Sequence, residues 1–182
     1  MNSEALAPDI SDDVLPSNAE VVQFVRRSDS CLSAMIATSL AAYHGRDALG
    51  WRPTRNGILS DRFELMSYDE LERRVWAVAS ALKNDPDIAM KTGDPVAIMA
   101  FANVDFVTLN FALGLNGMII APLQTTAGME ALTGLCEDLK APCLATSLEH
   151  LDAVVTLASA SPETRCILVF DHDGLDSAAM SA

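Results

Sequence analysis

Basic side chains are scarce in this chain. Twelve lysines and arginines stand against 25 aspartates and glutamates, a formal net charge of −13. Nucleic-acid backbones and anionic membranes are bound through basic surfaces, so the charge argues against both partners and reads as a solvated, acidic exterior. Long apolar runs are also missing. The longest uninterrupted one, residues 96–102, is far short of the roughly 20 residues a membrane helix needs and suits a buried strand. The first residues, MNSEALAPDISDD, lack the positive start and apolar centre of a secretory signal. Cysteine is limited to Cys31, Cys136, Cys143 and Cys166, inside apolar patterns and without CxxC spacing, which predicts reduced, buried thiols rather than disulfides or a zinc site. A cytoplasmic protein is expected.

Glycine-rich phosphate loops are absent too. The nine glycines, at 45, 50, 57, 93, 114, 117, 128, 134 and 174, give neither GxGxxG nor GxxxxGK followed by Ser or Thr. Gly114 and Gly117 flank a helix end and read as its C-cap. The three lysines, Lys83, Lys91 and Lys140, stand in solvent-facing contexts unsuited to nucleophilic work.

What is present is globular. Half of the 182 residues are hydrophobic and a fifth are charged, enough for one domain with a substantial core. Residues 1–17 are expected to be a mobile acidic leader, 18–171 the folded unit, and 172–182 a frayed acidic tail. Short helices are predicted over 18–27 and 31–43, the second stopped by Gly45. An extended piece at 48–51, a loop at 52–62 with an Asn-Gly turn at 56–57, and a strand at 63–66 follow. Ser67 and Glu70 form a capping box for a helix with Tyr68, Leu71, Val75, Val78 and Leu82 on one face. Asp69–Arg73 and Glu70–Arg74 are expected i,i+4 pairs on the other.

Beyond residue 95, apolar strands at 96–101, 118–121, 143–145 and 166–170 lack strict alternation, as in parallel sheets covered on both faces. Helices are predicted between them at 103–116, 127–140 and 147–159. The first is apolar nearly all round and should be central. The second presents Met129, Leu132, Leu135, Cys136 and Leu139, and the third Leu148, Leu151, Val155 and Ala158. Strand and helix alternation with short connections predicts right-handed crossovers and an open, mostly parallel α/β sheet.

Few residues suggest chemistry. His44, His150 and His172 are scattered and suit surface or capping roles. The acidic pairs Glu137–Asp138 and Asp171–Asp173 fit solvated faces. Gln124, Thr125 and Thr126 follow a strand, at an edge where ligands often sit, but Thr125 or Thr126 is expected to be an N-cap.

Ser67–Tyr–Asp–Glu–Leu71 resembles the first core motif of the adenylate-forming (AMP-binding, acyl-CoA synthetase-like) superfamily, and LGLNGMIIAPLQ at 113–124 its second. DALGWRP (47–53), FELMSYDELERRV, PLQTT (122–126) and SLEHLDAVV (147–155) resemble carboxylic acid reductases within it. The resemblance covers about residues 28–171. It implies the N-terminal part of an ATP-dependent, carboxylate-activating adenylation domain. Such enzymes use ATP and magnesium, pass the acyl group to a phosphopantetheine thiol and reduce it with NADPH. No position here matches the family's phosphate loop, magnesium- or ribose-binding acids or C-terminal-lobe lysine. The resemblance therefore transfers the fold of an incomplete first subdomain and no catalytic, cofactor-binding or metal residue.

Three functions remain open at this point. The chain is an N-terminal fragment inactive by itself, with an uncovered sheet edge and apolar surface favouring self-association or a second chain. Alternatively it is a split-enzyme subunit or regulatory module that docks on an intact adenylation domain, or an independent flavodoxin-like binding domain.

Overall fold

The computed structural model describes residues 18–27, 31–55 and 58–170. The expected leader at 1–17, the Asn-Gly turn at 56–57, the tail at 172–182, His172 and the Asp171–Asp173 pair lie outside these residues.

Four parallel strands form the centre: β5 (Pro95–Met99), β6 (Ile119–Pro122), β7 (Cys143–Ser147) and β8 (Cys166–Phe170), in the order β6-β5-β7-β8. All five residues of β7 are buried, as are Val96, Ala97, Ile98 and Met99 of β5. This explains their unbroken apolar runs. The outer strands differ from expectation, because an edge strand has one neighbour and less cover: Ile119 is 53% exposed and β8 is half-buried throughout. Pro122 is tolerated because it ends an edge strand.

Each connection carries a helix. From β5 the chain passes through α4 (Val104–Leu115) to β6, then through α5 (Met129–Leu139) back across β5 to β7. A 3₁₀ turn (Leu148–His150) and α6 (Leu151–Ala160) lead on to β8. Val96, Ile98, Cys143 and Ala145 face α3 (Tyr68–Asn84) and α4, whereas Ala97, Met99 and Leu144 face α5 and α6. Helices thus cover both faces of a doubly wound sheet.

Helix α4 is less enclosed than expected. Leu109, Ala112 and Leu113 are buried, but Phe106, Val107 and Phe111 are only partly so, because α4 meets α3 and α2 (Leu32–Ala42) along one side. It ends in a Schellman motif, with Met118 N–H donating to the Leu113 carbonyl at 3.0 Å and Gly117 N–H to Gly114 at 3.2 Å. Gly117 takes φ +65°, which suits a residue without Cβ.

Helix α3 forms as its residues dictate. Ser67 Oγ accepts from the Glu70 N–H at 3.2 Å, and Leu71, Val75, Ala79 and Leu82 are buried in one stripe. The Glu70 carboxylate binds Arg74 at 3.1 Å, the expected i,i+4 pair. Asp69 departs from expectation. Its carboxylate meets His44 Nδ1 at 2.8 Å and accepts from the Gly45 N–H at 2.8 Å, tying the turn after α2 to the first turn of α3. That turn brings two nitrogens to Asp69, an arrangement invisible in the spacing of Arg73.

A short helix α1 (Ala19–Val25) precedes α2, and β1 (Asp47–Trp51) pairs antiparallel with β4 (Glu64–Ser67). Within the expected loop at 52–62, β2 (Thr54–Arg55) and β3 (Ile58–Leu59) pair as a small hairpin. Two extended dipeptides around Asn-Gly have the composition of a tight hairpin.

Candidate functional site

In a doubly wound sheet, ligands bind beyond the carboxyl ends of the strands, where neighbouring strands send their chains to opposite faces. Here that divergence lies between β5 and β7. The chain leaving β5 enters α4 on one face, and the chain leaving β7 enters α6 on the other.

The crevice is built from the last residues of these strands. Thr146 is fully buried opposite Met99, and its hydroxyl lies 3.1 Å from the Met99 carbonyl and 2.9 Å from that of Ser147. One hydroxyl proton serves one acceptor at a time. Beyond β5, Phe101 is 60% exposed, and its ring lies 5.4 Å from the imidazole of His150. His150 Nε2 is enclosed without a hydrogen-bond partner, and its nearest acid, Glu149, is 3.6 Å away. At that separation there is electrostatic contact but no hydrogen bond.

Of the expected surface or capping roles, His150 fills only the position of the second: it is the N-cap residue of α6 but makes no side-chain cap bond, and its side chain is only 20% exposed. The order of the strands brings it to Phe101, because β7 sits beside β5. His44 is exposed and bridges Asp69 and Glu72, the latter at 2.6 Å, in a structural tie away from the crevice.

Gln124, Thr125 and Thr126 do lie at a carboxyl edge, just beyond β6. The capping role does not hold: Gly128 is the N-cap of α5, without a side-chain bond. Gln124 Nε2 instead donates to Thr126 Oγ1 at 3.1 Å, and Ala127 N–H to the Gln124 carbonyl at 3.0 Å. This turn delays the helix by two residues.

A cleft of about 560 Å³ opens beside the start of α4, between Trp51, Arg52, Met66, Arg74, Asn103 and Asp105. Its cations are already engaged: Arg52 Nε donates to the Ser60 carbonyl at 2.6 Å, and Arg74 pairs with Glu70. A second cleft of about 410 Å³, near Lys83, Lys91 and Asn116, lies at the amino ends of the strands, opposite the crevice. Among the described residues, no group of three His, Cys, Asp or Glu side chains could hold a metal ion.

The crevice defines the class: a doubly wound α/β module with its candidate site at the β5/β7 divergence. Residues 37–182 match the family described as AMP-binding enzyme. The carboxylic acid reductase of Segniliparus rugosus is 36% identical over 156 residues, covering 80% of this chain and 13% of that protein. That of Mycobacterium tuberculosis is 32% identical over 168 residues, covering 86% and 14%. Among solved structures, the A domain of the Segniliparus rugosus enzyme, in complex with AMP and a co-purified carboxylic acid, superposes with a TM-score of 0.81. It is 33% identical, with 87% of this chain and 27% of that chain covered. The chain belongs to the AMP-binding, adenylate-forming family. A fortuitous flavodoxin-like likeness is thereby set aside.

Proposed function

We propose that this chain supplies the front of an adenylation domain in an enzyme that uses ATP to convert a carboxylic acid into an acyl-adenylate. The observation that carries this reading is the superposition on an adenylation domain holding AMP and a carboxylic acid. In this reading the β5/β7 crevice, with Phe101 and His150 at its mouth, faces the reaction space. Transfer to a phosphopantetheine thiol and reduction by NADPH belong to other parts of the enzyme, in the cytoplasm.

The 182 residues by themselves are proposed to be inactive. Carboxylate activation depends on donors that cradle the triphosphate and neutralise developing charge. The relatives devote most of their length to regions outside the match. The test is pyrophosphate release from ATP and magnesium with a panel of aromatic and fatty acids. Turnover equal to that of an intact adenylation enzyme overturns inactivity. Co-addition of the remaining portion of a related domain, with restored pyrophosphate release, supports the assignment.

A second reading, a split-enzyme subunit or a module docking on an intact adenylation domain, is favoured by one feature. Ile58, Leu59, Phe63 and Leu65 are each more than half exposed along the β1–β4 ribbon and its neighbouring hairpin. A covering second chain, or a second copy, would bury them. Analytical ultracentrifugation with and without an intact adenylation domain decides: a chain that remains monomeric alone and in the mixture contradicts this reading.

A further inference from the structure

Cys143 opens β7 and Cys166 opens β8, and the two are register partners across this parallel pair. Partners on neighbouring strands project to the same face, with strands about 4.8 Å apart. That spacing falls within the roughly 4.4–6.8 Å between Cα atoms that a disulfide spans. Both side chains enter the apolar layer under α3 and α4, Cys143 within it and Cys166 packed against it. Their access differs: Cys143 is fully buried, whereas Cys166 is partly exposed on the edge strand. The other two thiols cannot join them. Cys136 lies in the layer on the opposite face, and Cys31 is exposed at the start of α2.

The Cys143 side chain beside it pulls the Cys166 thiol down to about 7 against the opposing effect of burial, helped by the neighbouring Arg165, while Cys166 Sγ lies 3.8 Å from the Pro142 carbonyl and Cys143 Sγ 3.7 Å from that of Leu144. The Cys166 side chain, together with burial, pushes the Cys143 thiol up. Arg165 is held in place by the Ala89 carbonyl at 3.3 Å and Asp94 at 3.9 Å. One thiol is thus reachable and ionisable, and the second is buried directly beside it. This is the division between an attacking and a resolving cysteine.

We propose that Cys143 and Cys166 form a reversible dithiol–disulfide site that reacts with small-molecule disulfides such as oxidised glutathione. The Cys166 thiolate attacks one glutathione sulfur, forming a mixed disulfide and expelling one glutathione thiolate. Cys143 then loses its proton, and its sulfur attacks the Cys166 sulfur, breaking the mixed disulfide and releasing the second glutathione thiolate. Two protein thiols lose two electrons, and oxidised glutathione gains them. The two thiol protons end on the two glutathione molecules. The new bond staples the edge strand β8 to β7, and excess reduced glutathione reverses it.

The test uses the full chain carrying Cys31→Ser, incubated with oxidised glutathione under native conditions and in urea, followed by thiol titration and peptide mapping. The native chain is expected to lose two free thiols and yield the Cys143–Cys166 cross-link alone, while urea yields a mixture including Cys136. Cys143→Ala or Cys143→Ser is expected to retain glutathione on Cys166. A native chain that keeps glutathione on Cys166 with Cys143 free, cross-links through Cys136, or loses no thiols overturns the proposal. The native measurement decides even where a variant does not fold.

Discussion

The Asn116 side-chain amide donates to the Ala79 carbonyl at 2.8 Å, joining the C-cap of α4 to the interior of α3. The two helices pack against the same sheet face, and this bond fixes their relative height where their apolar stripes meet. Asn116→Ala should cost about 1 kcal/mol, the usual net value of such a bond. Asn116→Asp should cost more, since a carboxylate places acceptor against acceptor. Urea unfolding read by circular dichroism measures both. Equal stability of all three chains would show that the bond fixes nothing.

Gly117 at φ +65° completes the Schellman motif that turns α4 into β6. A Cβ there would also come within 3.1 Å of Thr92 Cγ2. Gly117→Ala is expected to destabilise by roughly 1–2 kcal/mol, the cost of a left-handed conformation for a residue with a side chain. Gly128→Ala should cost less than half as much, because Gly128 has φ −70° and nothing within 4 Å of its would-be Cβ. Thermal melts of the two variants compare them directly.

Helix α6 shows where a sequence pattern misleads. Its residues LDAVVTLASA are apolar around most of the circumference, so the stripe 148, 151, 155 and 158 is as plausible on paper as its neighbour. The fold selects the neighbour: Val154 and Leu157 are buried, whereas Leu148 is 39% and Val155 46% exposed. Leu157→Ala should cost about 2–5 kcal/mol, and Val155→Ala under about 0.5 kcal/mol. Similar losses at both positions in chemical denaturation would contradict this placement.

The contrast with α3 explains how far residues alone disclose this fold. Ser67, Glu70 and a strict apolar stripe with charges opposite it leave α3 one orientation, and that orientation is seen. The strands expected at 96–101 and 143–145, observed at Pro95–Met99 and Cys143–Ser147, are equally legible to within two residues, since uninterrupted apolar runs mean cover on both faces. Their adjacency is not, because nothing in β5, β6 or β7 states that the third strand pairs with the first. The approach of Phe101 to His150 follows from that adjacency alone. Asp69 likewise met a histidine 25 positions earlier instead of the arginine four positions later, a long-range choice that local spacing cannot encode.

Ionisation of Cys166 supplies a pH-dependent signature. Only the thiolate is alkylated by iodoacetamide, and the Cys166 thiol is lowered from an ordinary 9.0 to about 7, while that of Cys143 is raised. In Cys31→Ser, modification of Cys166 in the native chain should rise through pH 7 and level off above it, with Cys143 unmodified. In the urea-unfolded chain the rise should move towards pH 9. The sign for stability follows from linkage: an acid lowered by folding contributes stability present above its unfolded value and lost as pH falls through 7. The raised thiol of Cys143 acts oppositely, favouring the fold until pH passes its unfolded value. Cys143→Ala removes the largest lowering influence on Cys166, so its native alkylation profile should shift upward in pH. An unchanged midpoint in that variant would show that the Cys143 side chain does not lower the Cys166 thiol across β7 and β8.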